Sequence, residues 1–134
     1  MNFLLRWFCT LTLSGLALAS QAEVAVIAHP DAPGTPTRND IMNIYLGLDR
    51  SLTPIDLRTW SDTRTRFYHD LIRKNESQLK SHWATLIFTG KGRPPRAVKD
   101  QAAMLEQVAN NPQAIGYVDS RLVDDSVRVL FILR

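Results

Sequence analysis

Segments typical of strands alternate with segments typical of helices along this chain, and this order is the feature that most constrains its fold. The first strand is predicted at Val24–Ala28, a short apolar run rich in β-branched residues. Residues 54–60 alternate apolar and polar side chains, which predicts a second strand running directly into a helix that begins at Ser61. Strands interleaved with helices favour an α/β fold. We therefore predict a three-layer αβα sandwich built on a small mixed sheet.

The helices are recognised by apolar residues that recur at steps of three and four. The first begins after Thr37, a residue suited to an N-cap, and ends at Gly47. A second helix follows Ser61, and a third carries Leu79 and Trp83 on one face. The loop at residues 88–95 then breaks the chain, since it contains two glycines and two prolines.

The last third of the chain predicts one more helix and two strands. The helical pattern is carried by Val98, Ala102, Leu105 and Val108, and the Asn-Asn-Pro sequence at residues 110–112 stops it. The two strands are predicted at residues 114–118 and 127–133.

The first 22 residues have the pattern of a secretory signal peptide. They carry an early positive charge at Arg6, then a leucine-rich apolar run, then small residues up to a predicted cleavage site after Ala22. An N-terminal membrane anchor is the alternative, but the apolar run is shorter than the ~20 residues that a membrane span needs. Cys9, the one cysteine of the sequence, lies in this segment. We therefore predict that residues 23–134 form a single periplasmic domain without disulfides and without stable membrane insertion after cleavage.

The turn at the start of the helix after residue 60 is the candidate binding site. If Ser61 is the N-cap, the first helical turn leaves backbone N–H groups without intrahelical partners and forms a ready site for an anion. The hydroxyl groups of Ser61 and Thr63 can add hydrogen bonds, and a guanidinium group at Arg64 suits a carboxylate or a phosphate. The alternative is an ordinary helix cap with solvated arginines. Asp62 favours that alternative, because its charge repels an anion.

Four segments in chain order resemble the phosphate ABC-transporter substrate-binding proteins. They are residues 44–47 (IYLG), 61–67 (SDTRTRF), 88–92 (FTGKG) and 111–118 (NPQAIGYV). The resemblance covers nearly all of residues 23–134, and its most specific segment is the last. It implies the type II periplasmic binding fold, of which this chain holds only one of the two lobes.

The resemblance also implies which residues bind the ligand. In the family, a serine, the amide that follows it and a threonine hold phosphate at a helix N-terminus, and these positions correspond to Ser61, Asp62 and Thr63. Leu57 stands where the family has an arginine, so Arg58 or Arg64 would supply the positive charge. The chain would correspond to the second lobe of the family, so without the other lobe we expect weak affinity unless a partner or a dimer covers the site.

These observations predict a non-catalytic protein that binds phosphate or a similar oxyanion, with no cofactor and no metal. The chain has no Gly-x-Ser-x-Gly motif, and its three histidines show no metal-ligand spacing. A formal net charge of +3 does not indicate a nucleic-acid-binding protein. The predicted protein partner is an ABC transporter or another envelope protein, and a homodimer is left open. The alternative function is an accessory or regulatory interaction module of an envelope complex that has kept the fold and lost the ligand.

Trp60 and a basic loop are two further features near the predicted helices. Trp60 immediately precedes the predicted cap, and its ring would either pack in the core or form a wall of the binding site. The loop at residues 91–96 (KGRPPR) is interpreted either as solvated or as a basic rim that attracts anions or contacts a partner.

Overall fold

The computed structural model describes residues 23–134, so the predicted signal peptide and Cys9 lie outside the described residues. Five strands and four α-helices make up this part of the chain. The strands are β1 (Val24–Ala28), β2 (Thr53–Leu57), β3 (Arg96–Val98), β4 (Ala114–Asp119) and β5 (Arg128–Leu133). The helices are α1 (Arg38–Tyr45), α2 (Asp62–Phe67), α3 (Glu76–Phe88) and α4 (Gln101–Ala109).

The five strands form one mixed sheet in the order β3-β2-β4-β1-β5. Strand β2 pairs in parallel with β3 and β4, whereas β1 pairs antiparallel with β4 and β5. Parallel pairing places the carboxyl ends of β2, β3 and β4 at the same edge of the sheet. The turn into α2 lies at that edge.

Helices cover both faces of the sheet. On one face α4 packs so closely on β4 that a Cβ at Gly116 would lie 2.5 Å from the sulfur of Met104 and 2.9 Å from Val108. On the other face Phe67 of α2 stacks on Tyr117 of β4, with ring centroids 3.9 Å apart. This arrangement confirms the predicted α/β sandwich. Because both faces are covered, every residue of β1 and β4 is buried.

Helix α2 continues as a π-helical turn at Tyr68–Ile72, which ends at Arg73 in the left-handed conformation with φ 62°.

The N-caps of α1 and α2 form the hydrogen bonds that their sequences predict. Ser61 caps α2, and Thr37 forms a capping box with Asp40 at the start of α1. These two helix starts were predicted correctly from the sequence.

The prediction for Val98 was wrong. Val98 ends β3, and α4 begins at Gln101 after Asp100, whose side chain accepts a hydrogen bond of 2.8 Å from the amide of Ala103. The three residues of β3 are too few to show a period of two, so Val98 was included in the helical pattern that follows. The second strand was also predicted too long, because β2 ends at Leu57.

Candidate functional site

The turn that joins β2 to α2 is a capped helix start in which some of the first amides lack a hydrogen-bond acceptor among the described residues. Ser61 is extended, with φ −78° and ψ 173°, and its Oγ accepts a hydrogen bond of 3.3 Å from the amide of Arg64. Its carbonyl accepts from the amide of Thr65 at 2.8 Å. The amides of Asp62 and Thr63 lie between Ser61 and Arg64 in the chain, and neither has an acceptor among the described residues. Two backbone N–H groups of this turn are therefore without an acceptor within residues 23–134.

An open groove, here named the Ser61 groove, lies in front of this turn. It has a volume of about 870 Å³ and is lined by residues of the turn, of the helical segment that follows and of the chain after β4. Its charged side chains are Asp62, Arg66, Asp70, Asp119, Arg121 and Arg134. Carboxylates and guanidinium groups are therefore equally represented. The amides at the turn and the orientation of each guanidinium group, more than net charge, must decide whether an anion binds.

Arg121 reaches the Ser61 groove from the 3₁₀ turn that follows β4. Its Nε donates to Oδ1 of Asp119 at 3.0 Å, and its Nη2 donates to Oδ2 at 2.6 Å. These hydrogen bonds hold the pKa of Asp119 below its usual range. Arg has five N–H donors and this contact takes two, so three remain, and none of them has an acceptor in the described part of the chain.

The side chain of Arg64 points away from the Ser61 groove. Its Nη2 donates to Oδ2 of Asp56 at 3.3 Å, and its Nη1 donates to the carbonyl of Arg58 at 3.4 Å. The guanidinium group also lies over the ring of Trp60, 4.3 Å from the centroid. This explains a cation close to a helix N-terminus, where the dipole disfavours it, because the charge is paired with a carboxylate of the preceding strand.

Asp56 is the centre of a buried polar cluster that sequence reasoning missed. It is only 4% exposed, and its carboxylate accepts from the hydroxyl groups of Tyr68 at 2.6 Å and Tyr117 at 2.5 Å. It also accepts from the amide of Leu57 at 2.8 Å. Burial, and then the charge of Asp56, raise the pKa of Tyr68 and Tyr117 well above 10.0. The two phenols therefore stay protonated and donate to the carboxylate.

The cluster fixes the turn that carries the candidate site. Trp60 stacks on Tyr68 with centroids 5.5 Å apart, and Arg64 lies over both rings. The residues on both sides of Ser61 are thereby held to the body of the domain. Trp60 lines a neighbouring groove together with Asp56 and Arg64, whereas the lining of the Ser61 groove does not include it.

The structure brings together three of the five predicted site residues. Ser61, Asp62 and Thr63 line the Ser61 groove. The guanidinium of Arg64 lies with Asp56, and Arg58 has an exposed side chain outside the lining of the groove. One sequence signal could have identified the cluster, namely a carboxylate placed between apolar neighbours in a strand of a sheet that is covered on both faces.

Comparisons with known proteins identify the fold. No protein-family model matches the chain, and no curated protein matches it. Among solved structures, an ABC-type phosphate transport receptor from Vibrio cholerae matches 81% of this chain and 46% of its own, with a TM-score of 0.61 and 21% identity. The chain has the fold of one lobe of a phosphate-transport receptor.

Two further solved structures also match the fold of this chain. A putative phosphate ABC transporter substrate-binding protein with bound phosphate, from Clostridium perfringens, matches 81% of this chain and 44% of its own, with a TM-score of 0.62 and 21% identity. PstS from Borrelia burgdorferi matches 81% of this chain and 47% of its own, with a TM-score of 0.57 and 16% identity. The chain therefore spans less than half the length of these three proteins. The resemblance predicted from the sequence is confirmed for the fold.

No helix in residues 23–134 is long and apolar enough to cross a membrane. Within the same residues, no group of three or more His, Cys, Asp or Glu side chains is placed to hold a metal ion.

Proposed function

We propose that this protein is a periplasmic, non-catalytic binding protein for phosphate or a similar oxyanion. The observation that carries the proposal is the pair of unpartnered amides at Asp62 and Thr63, at the carboxyl end of a parallel strand. Ligands of open α/β sheets bind at this edge, and a helix start favours negative charge. The phosphate-transport receptors that share the fold support the choice of phosphate.

The proposed ligand is held by backbone and side-chain donors of one turn. The amides of Asp62 and Thr63 donate to the oxyanion, and the hydroxyl groups of Ser61 and Thr63 add to them. Arg121 supplies positive charge through the N–H groups that Asp119 does not use. Arg64 and Arg58, the counter-charges predicted from the sequence, would serve this purpose only after their side chains turn toward the groove.

We expect the affinity to be weak, in the millimolar range, because the groove is open and Asp62 brings a carboxylate close to the ligand. Half of the chain length of the phosphate-transport receptors has no counterpart here. A second copy of the chain, or an envelope protein such as an ABC transporter, would exclude water from the site and raise the affinity. The predicted signal peptide supports a periplasmic location.

Calorimetric titration of the purified protein with phosphate and with sulfate tests the proposal. Ser61→Asp is the decisive variant, because aspartate keeps the N-cap but puts a negative charge at the unpartnered amides. We expect it to abolish binding. Thr65→Asp adds the same charge to the same groove one turn further along the helix. The affinity of this variant for phosphate should stay within about threefold of the affinity of the unchanged protein. Equal loss in both variants, or tight binding unaffected by Ser61→Asp, would contradict the proposed site.

The second candidate function is an accessory or regulatory interaction module of an envelope complex. Two observations favour it: Arg64 is already paired with Asp56, and the carboxylates around the Ser61 groove match its guanidinium groups in number. Under this hypothesis neither anion binds at millimolar concentration, and Ser61 serves only as a helix cap.

A further inference from the structure

A second groove lies at the opposite end of the sheet from Ser61. Strands β2 and β3 are parallel, so Thr53 and Arg96, their first residues, lie at the same edge, away from the turn into α2. The chain between α1 and β2 forms one wall of this groove, and the chain between α3 and β3 forms the other. Its volume is about 840 Å³. We name it the basic groove; its lining includes Arg50, Arg93, Arg96, Trp83, Pro94 and Pro95.

The charge of the basic groove is unbalanced. Three exposed arginines, Arg50, Arg93 and Arg96, face one carboxylate, that of Asp49. Within residues 23–134, no carboxylate forms an ion pair with any of these arginines. Lys91 adds a further exposed cation beside them. Three exposed guanidinium groups that line one groove with a single carboxylate are stabilised by a partner that brings carboxylates.

Large apolar side chains are exposed around the same groove. Leu48 is 66% exposed between two lining residues, and Ile87 and Phe88, at the end of α3, are 55% and 93% exposed. Leu48 lies in the chain segment that forms one wall, and Phe88 comes two residues before Gly90 of the other wall. Ile87 lines the neighbouring groove of Trp60. Exposed apolar residues grouped beside a groove with a polar rim mark an interaction surface.

The walls of the groove are held in place before any partner arrives. Nη2 of Arg50 donates to the carbonyl of Lys91 at 2.9 Å and so joins the two walls. The ring of Trp83 packs against Gly47, where an added Cβ would lie 3.0 Å from the indole. Gly47 also has φ +77°, which a larger residue would adopt only with strain. A groove that is already formed loses little conformational entropy on binding.

We propose that the basic groove docks an acidic segment of another protein, one that carries apolar side chains among its carboxylates. The arginines bind the carboxylates, and the ring of Trp83, Leu48 and Phe88 bury the apolar side chains. An inorganic anion would leave the apolar residues exposed, and a flat membrane surface would not enter the groove. A second copy of the chain would bring like charges together at a symmetric contact. This surface is separate from the Ser61 groove, so the proposal does not depend on oxyanion binding.

The test is a selection from a displayed library of random 12-residue peptides on the purified protein. We expect the selected peptides to be rich in Asp and Glu with interspersed apolar residues. The double variant Arg93→Ser/Arg96→Ser should weaken their binding at least tenfold, measured by fluorescence polarisation. The matched control, Lys74→Ser/Lys99→Ser, removes two positive charges outside the groove and should leave affinity within about twofold.

Phe88→Ser gives an independent check, because this exposed residue contributes little to the fold and its loss should still weaken binding several-fold. Selected peptides without acidic enrichment, or equal loss in the lysine control, would overturn the proposal. Two other results would also overturn it. One is binding to phosphatidylglycerol vesicles through Phe88 without any acidic peptide being selected, and the other is self-association that Arg93→Ser/Arg96→Ser alters.

Discussion

Replacing Asp56 by asparagine tests the role of the buried cluster directly. Asparagine has almost the same shape, but it removes the negative charge and puts an NH₂ donor where an oxygen accepts hydrogen bonds. One of two oxygens is affected: Oδ1 accepts from Tyr117 and Leu57, and Oδ2 accepts from Tyr68 and Arg64. Either orientation of the amide therefore leaves a buried donor facing another donor.

The expected loss of stability follows from the ion pair and the hydrogen bonds. Removing one partner of a buried ion pair costs about 3–5 kcal/mol, and a hydrogen bond to a charged group contributes about 1.5–3 kcal/mol. The side chain of Arg64 is 17% exposed and keeps part of its hydration, so the lower end of the range applies. We expect a loss of about 3 kcal/mol. With a urea slope of about 1.5 kcal/mol per M, the unfolding midpoint falls by about 2 M.

Urea denaturation of the purified protein, followed by tryptophan fluorescence, measures this change. Asp125→Asn is the matched control, because Asp125 is exposed and its loss should change stability by less than about 0.5 kcal/mol. In a double-mutant cycle, Asp56→Asn and Arg64→Met should be less than additive by more than about 1 kcal/mol. A loss below about 1 kcal/mol for Asp56→Asn, or full additivity, would refute the argument that the pair holds the turn.

Three further predictions concern the sheet, the tyrosines and a helix cap. Gly116→Ala should destabilise the protein by about 2 kcal/mol in urea, because the new Cβ overlaps α4, and Met104→Ala in the same chain should recover part of the loss. All three tyrosines are buried and their pKa values are raised above 10.0. The stability that they contribute is therefore fully present below pH 10 and is lost as the pH rises further. Tyrosinate absorbance should therefore appear only together with unfolding, and titration of a folded protein near pH 10 would contradict this. Asn75→Ala should cost about 1 kcal/mol in thermal unfolding, since it removes the capping box of α3; no change in the unfolding temperature would show that the box does not stabilise the helix.

Local signals predicted most of the elements correctly. Ser61 was identified as an N-cap because a hydroxyl group before a helical pattern satisfies a backbone amide whatever the rest of the chain does. Strands β1 and β4 were found because they are continuous apolar runs in a sheet covered on both faces. The short strand β3 was missed because its pairing with β2 is a long-range contact that leaves no periodic trace in three residues.

The features of the candidate sites also divide into those set by local sequence and those set by the folded chain. The sequence by itself determined the α/β class, the helix start at Ser61 and the resemblance to phosphate-binding proteins, because each depends on neighbouring residues or on motif order. Only the tertiary structure decided that Arg64 pairs with Asp56, and that the loops bearing Arg50 and Arg93 face each other across one groove. The physical reason is that the partner of a charge is set by distance in the folded chain, and residues far apart in sequence become neighbours only when the sheet has formed.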